Sequence, residues 1–343
     1  MRIRKLVSAG LASLLFVSSY AYPWGNGGYS RSDKPRIGTH DYIASKALSF
    51  VPKKDIGWLY DHKDDFLFGT EAPDNEEIAL RYLGTKSGYG DQLNHHVFFR
   101  SNGSIDDVAA ERAQDEYYLA LAAYKGGNFR LAAFHLGCMT HYISDCGVWA
   151  HVMGTCSRFG AENQEAHRRF ERVVDKAFMP KYKEKLARYG ISLDKILEHY
   201  IVFDGELRRV TPYEATIELA RAVSFGDGKI LCCTDMNDFF SNNNLGLVQI
   251  LASGGDFRKY VRSSFAAVNR CVNSVADVLY TFVIDARRLD ELGVSSSEHN
   301  KVSKKEESFV GNQNNGSFGF APLLSAVLFF AVLGIGLYVL GRR

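Results

Sequence analysis

The stretch HLGCMTHYISDCGVWAH, residues 135–151, constrains this chain more than any other. It reads like the interior of a buried helix, yet it carries three histidines, one aspartate and two cysteines. His141 and Asp145 are four residues apart, so an imidazole and a carboxylate share one helical face and can converge on one ion. Gly147 ends or bends that helix and redirects the chain towards His151. A second pair at the same spacing follows, His167 and Glu171 in EAHRRFERVVD. One such pair alone reads as an ordinary helical hydrogen bond. Two pairs plus His151 within 31 residues point instead to a metal cluster. Carboxylates mixed with imidazoles and without thiolates suit zinc better than manganese or iron.

The surrounding pattern is helical. After a Thr39 cap, residues 39–50 place Ile43, Ala47 and Phe50 at helical spacing. Helices are also expected over 106–126 with Asp106 as cap, 128–145 with Asn128 as cap, 161–189, 211–226 and 260–290. Alternating strands are absent, so the expected class is all-α, a multi-helix domain over 22–292. A composition of 46% hydrophobic and 23% charged residues allows a full core, and a net charge of +2 argues for no particular partner.

The two ends carry other signals. Residues 1–21 combine Arg2, Arg4 and Lys5 with a short apolar run and a small-x-small site at Ser19-Tyr20-Ala21, the pattern of a secretory signal peptide. Residues 293–317 are polar and rich in Ser, Asn, Lys and Glu, which predicts a flexible tether. Residues 318–340 contain no charge, and as a helix would run roughly 34 Å against a hydrocarbon core of about 30 Å. Arg342 and Arg343 in the tail 341–343 belong on the cytoplasmic side. The expectation is a domain exported and anchored at the cell surface by one C-terminal transmembrane helix. The six cysteines permit disulfides of undetermined connectivity, and no C-x-x-C pair suggests a cysteine zinc site. Asn102-Gly-Ser104 and Asn315-Gly-Ser317 are possible glycosylation acceptors.

Upstream lie further candidates: His40 in GTHDYI (38–43), Asp74 in FGTEAPD (68–74), and His95-His96 in NHHVFF. Together with GNFRLAAFHLGCMTHYISD (127–145), the Asp145–His151 interval and the His167/Glu171 pair, these segments resemble the zinc-dependent phospholipases C, including the catalytic domain of clostridial alpha-toxin. The ordered resemblance covers roughly residues 24–175. It implies an all-α domain with three zinc ions. One ion would take Asp74, His96, His141 and Asp145, and a second His151, His167 and Glu171. The third would take His40, Asp145 as a bridge, and the amino nitrogen and carbonyl of Trp24. His96 is chosen over His95 because the family's histidine precedes two bulky residues; His95 and His135 are assigned to orienting or core roles.

The resemblance further implies hydrolysis of a phosphodiester by metal-activated water, with Asp74 as general base as well as ligand. Three departures stand out. Gly27, Leu93 and Asn75 occupy the places where choline-selective members carry an acidic residue and aromatics. The toxin's C-terminal lipid-binding β-sandwich has no counterpart. Cleavage after Ala21 leaves Tyr22-Pro23 ahead of Trp24, so an amine ligand requires removal of that dipeptide. The leading expectation is a membrane-tethered phospholipase C whose partners are phospholipid substrate and the membrane. Two other readings remain open. The first is a zinc nuclease of the single-strand-specific type, whose last pair is H-x3-D rather than His167-x3-Glu171. The second is a surface protein that zinc merely staples.

Overall fold

In the computed structural model, residues 132–150 are buried without a break, so the stretch singled out above is the axis around which the other helices pack. The described residues are 37–86, 88–90, 94–178, 180–244 and 257–291. All fall within one compact unit, Met1–Val294. The expected signal segment, Trp24, the tether and the anchor lie outside them. Among the described residues no helix is long and apolar enough to cross a membrane.

The central helix is α6, Phe129–Asp145, and its start is dictated by Asn128, whose side-chain oxygen accepts the Leu131 N–H at 3.1 Å. In chain order the preceding elements are α1 (Thr39–Phe50), α2 (Lys53–Asp61), α3 (Lys63–Glu71), α4 (Glu76–Leu83), β1 (Phe98–Phe99), β2 (Ile105–Asp106) and α5 (Val108–Lys125). After α6 come a 3-10 turn (Trp149–Val152), α7 (Gln164–Lys176), α8 (Pro180–Ala187), α9 (Leu193–Tyr200), α10 (Pro212–Phe225), α11 (Cys233–Asn242) and α12 (Arg258–Glu291). The fold is mostly helical, as expected. Among the described residues the sheet is one antiparallel pair in which Phe98 faces Asp106 and Phe99 faces Ile105.

Packing against α6 is closest on the α3 side, at two glycines. A Cβ on Gly69 would stand 2.0 Å from the Phe134 carbonyl oxygen, and one on Gly137 would stand 2.1 Å from that of Phe66. Only glycine lets the two backbones approach so closely. The approach sets the Thr70 backbone against His141, with consequences for the metal site below.

Several expected boundaries move for identifiable reasons. The single helix expected over 161–189 is α7 and α8, the second opening at Pro180, whose ring lacks the N–H that a continuing helix needs. Asn163 caps α7 by accepting from the Glu165 and Ala166 N–H groups. Asp106 is not the cap of α5: it sits in β2 and takes Arg100 Nη2 at 2.6 Å, while Asp107 holds the N-cap position. Thr39 is the first residue inside α1 rather than its cap, and the Asp41 carboxylate takes the Gly38 N–H at 2.9 Å. None of the six cysteines is bridged.

Candidate metal centre

Six segments deliver the titratable side chains, His95 coming from the extended stretch before β1. His40 opens α1, Asp74 follows α3, His141 and Asp145 lie on α6, and His167 and Glu171 lie one turn apart on α7. His151 sits in the 3-10 turn, placed by its carbonyl, which accepts the Val97 N–H at 3.1 Å. That bond ties the extended segment after His95 to the turn after α6, bringing histidines distant in sequence to one place. Within three triads, His40/His141/Asp145, Asp74/His95/His141 and His151/His167/Glu171, one ligand atom from each residue lies within 4.8 Å of the others.

The expectation for His96 is corrected here. His95, 2% exposed, has Nδ1 2.5 Å from Asp145 Oδ2, 3.2 Å from His141 Nε2 and 3.8 Å from Asp74 Oδ1. His96 turns the other way, stacks on Phe98 with ring centres 3.9 Å apart, and has Nε2 3.5 Å from Asp106. The physical reason is alternation along an extended chain. His95, Val97 and Phe99 are buried, so positions two apart share the inward face. His135 is a core residue as expected: its Nδ1 meets Glu116 Oε2 at 2.7 Å, away from the three triads. His62 pairs with Asp65 outside the cluster. Asn75 caps α4 instead of lining it, while Gly27 and Leu93 lie outside the described residues.

Hydrogen bonds fix which nitrogen each histidine offers. His141 Nδ1 lies 2.7 Å from the Thr70 carbonyl, which can only accept, so Nδ1 carries a proton and Nε2 is the inward nitrogen. The Ser144 hydroxyl gives its one hydrogen to the Thr140 carbonyl at 2.8 Å. It therefore accepts from His40 Nδ1 at 2.7 Å, and His40 also turns Nε2 inward, 3.2 Å from Asp145 Oδ1. His167 Nδ1 is held by Glu162 Oε2 at 2.6 Å, leaving Nε2 for Glu171 Oε1, also at 2.6 Å. Outer groups that hold one imidazole nitrogen and aim the other are what a metal-ligating histidine requires.

The electrostatics point the same way. Burial alone would lower the His141 pKa, but the Asp145 and Asp74 carboxylates outweigh it and lift the value to about 9. For His167 burial is likewise outweighed, by Glu171 and Glu162, and the value rises to about 10. Burial would raise Asp145, yet the cationic forms of His141 and His151 hold it well below the usual carboxylate range. His40 is lowered by burial and by the neighbouring His141, on which it stacks at 4.1 Å, and so stays neutral. The carboxylates thus demand positive charge at His141 and His167, and without a metal that charge is a proton.

The spacing tests whether zinc fits. Donors around a tetrahedral zinc at about 2.0–2.1 Å are roughly 3.3 Å apart. His141 Nε2 lies 3.1 Å from Asp145 Oδ2, 3.2 Å from His95 Nδ1 and 3.7 Å from Asp74 Oδ2. His151 Nε2 lies 3.6 Å from Glu171 Oε1, too far for a hydrogen bond, and neither His151 Nε2 nor Glu171 Oε2 has a hydrogen-bond partner among the described residues. Buried polar atoms left in this state are costly unless an ion completes them. The residues fit zinc.

Residues 39–209 match the family model described as zinc dependent phospholipase C, and every ligand candidate above except Trp24 lies inside that match. The domain belongs to that family. The His141/Asp145 and His167/Glu171 pairs both lie inside the matched segment. Among solved structures, alpha toxin from Clostridium absonum is similar at 16% identity and a TM-score of 0.42, covering 73% of this chain and 64% of that one. Alpha-toxin of Clostridium perfringens, from avian strain SWCP, is similar at 15% identity and a TM-score of 0.38, with the same coverages. The chain spans less than two thirds of the length of either. No curated protein matches it in sequence.

Sequence reasoning missed Thr70, Ser144 and Glu162. Two act through a backbone carbonyl or a hydroxyl with no spacing signature. Glu162 lies just before the Asn163 cap of α7, five residues ahead of His167, which is outside any helical i, i+4 rule.

Proposed function

We propose that this phospholipase C-type domain holds three zinc ions and hydrolyses the glycerol-side phosphodiester of phospholipids. The observation that carries the reading is Asp145, whose two oxygens face different histidine sets: Oδ1 towards His40, Oδ2 towards His95 and His141. A shared carboxylate supports neighbouring ions rather than one. The ligand sets are Asp74, His95, His141 and Asp145; His151, His167 and Glu171; and His40 with Asp145 and Trp24. Zinc bound there polarises phosphodiester oxygens and acidifies bound water. Asp74, 7% exposed in its side chain, stands at the rim of the buried triads. Its oxygens lie 3.8 Å from His95 Nδ1 and 3.7 Å from His141 Nε2, and in this reading one of them accepts the proton of an attacking water. The open His151/His167/Glu171 set, with only three protein ligands, leaves a position for water or substrate.

Export by residues 1–21, tethering by 293–317 and anchoring by 318–340 are part of the proposal, supported by their composition. A tether of about 24 residues has a root-mean-square reach of roughly 27 Å, which keeps the domain near a membrane surface. The reading is tested by giving the zinc-loaded chain phospholipid, single-stranded DNA and a simple phosphodiester. Diacylglycerol and a phosphorylated headgroup, lost in His141→Ala and kept in His62→Ala, support it. Cleavage of DNA alone replaces it with the nuclease reading. No turnover at full zinc occupancy leaves a zinc-stapled surface protein.

A further inference from the structure

The segments that follow His95 and His151 meet the C-terminal end of α10. The extended segment from His95 into β1 reaches Phe99 about 13 Å further along at roughly 3.3 Å per residue. The loop after His151 runs beside it, the Arg158 N–H donating to the Phe99 carbonyl at 2.9 Å. The C-terminal end of α10 closes over both. There Phe225, 42% exposed, packs against Phe99 at 5.4 Å and Phe159 at 5.2 Å between ring centres.

Two exposed guanidinium groups rest on this aromatic cluster. Arg158 lies over the Phe225 ring at 5.5 Å, and Arg221, one helical turn before Phe225, lies over Phe99 at 5.1 Å. Neither has a carboxylate partner among the described residues, whereas nearby Arg100 is neutralised by Asp106. Exposed cations are ordinarily solvated and mobile. Here stacking pre-orients two of them around a large apolar side chain that protrudes into water. Phosphate diesters above and acyl chains below are the chemistry that matches cations ringing a phenyl group.

We infer that Phe225, Arg158 and Arg221 form a docking face for an anionic phospholipid surface, on the side of the domain where the segments following His95 and His151 meet. The inference rests on the phospholipid reading above and deepens it. The occupant is a bilayer, not a lone headgroup, because the two cations flank an exposed ring instead of lining a pocket.

The test uses the full zinc-loaded chain in vesicles containing phosphatidylglycerol and brominated phosphatidylcholine. A Phe225→Trp variant reports insertion at this face itself, whatever the C-terminal segment does. Emission quenched beyond that of the parent chain is expected, weakening at high salt. Adding Arg158→Ala and Arg221→Ala should raise the lipid concentration needed for half quenching about 30-fold, each cation near an anionic surface being worth roughly fivefold. Lysine at both positions should restore most of that loss. Hydrolysis of a short-chain lipid below its micelle concentration should change less than about twofold in the double alanine variant, which also verifies folding. Absence of extra quenching while vesicle lipid is hydrolysed overturns the docking face. Binding of single-stranded DNA that shifts the emission of the Phe225→Trp variant, with no extra quenching by vesicles, overturns it in favour of a nucleic-acid contact. Bilayer quenching without lipid hydrolysis upholds the docking face and refutes the phospholipase reading instead.

Discussion

Gly137→Ala puts the relation between packing and metal binding to a sharp test. By helix propensity alone the change stabilises α6 by about 1 kcal/mol. The structure says otherwise, because the new methyl group would stand 2.1 Å from the Phe66 carbonyl oxygen and 2.7 Å from Gly69 Cα. An ordinary carbon–oxygen contact is about 3.3 Å, so α3 and α6 must part by roughly 1 Å. Overpacking of this kind costs about 1–3 kcal/mol, and more where, as here, both obstacles are backbone. The net expectation is a loss near 2 kcal/mol, or a melting point lower by about 4–8 °C. The same displacement pulls the Thr70 carbonyl from His141 Nδ1, now 2.7 Å away, and frees the ring to turn. Loss of such an orienting partner weakens metal binding by about 10–100-fold. Thermal unfolding with and without zinc, combined with competition against a chromophoric chelator, reads both effects. Unchanged melting together with unchanged zinc affinity would refute the argument that the glycine contact positions the ligand.

Further outcomes follow from individual residues. His95→Ala should abolish zinc uptake at the Asp74/His141 set and lipid turnover with it, whereas His96→Ala should keep zinc content intact; metal analysis of both separates them. Glu162→Gln should weaken zinc about 10–100-fold by releasing His167 Nδ1, measured by the same chelator competition. Stability of the metal-free chain should depend on alkaline pH. The folded pKa values of His141, about 9, and His167, about 10, lie above the unfolded value near 6.5. Their protons therefore contribute fully below about pH 6.5, and that contribution is lost as pH rises through 9 to 10. Urea unfolding across pH 6–10 in chelator should show the decline, and saturating zinc should flatten it by replacing those protons.

How much of this could be read in the sequence depended on whether the signal was local. His141/Asp145 and His167/Glu171 announced themselves because a four-residue interval fixes side chains on one helical face. Asn128 announced its helix because a capping side chain acts within three residues. His95 over His96 was legible in principle, since Val97 and Phe99 mark the inward side of an extended segment, but bulk after the histidine was the weaker clue. Helices α2, α3, α4, α9 and α11 are short and gain their stability from tertiary burial, which a periodic pattern over eight to ten residues does not display. The contact of Gly69 with Gly137 spans 68 positions and leaves no mark in either neighbourhood. The FGTEAPD stretch contains the last turn of α3 before the turn at Asp74.

The most direct measurement is anomalous diffraction at the zinc edge from crystals of the zinc-loaded chain. The account predicts three peaks inside the α6–α7 cluster, two of them on either side of the Asp145 carboxylate, with His95 and not His96 in the inner coordination. A single peak, or a peak coordinated by His96, would contradict it.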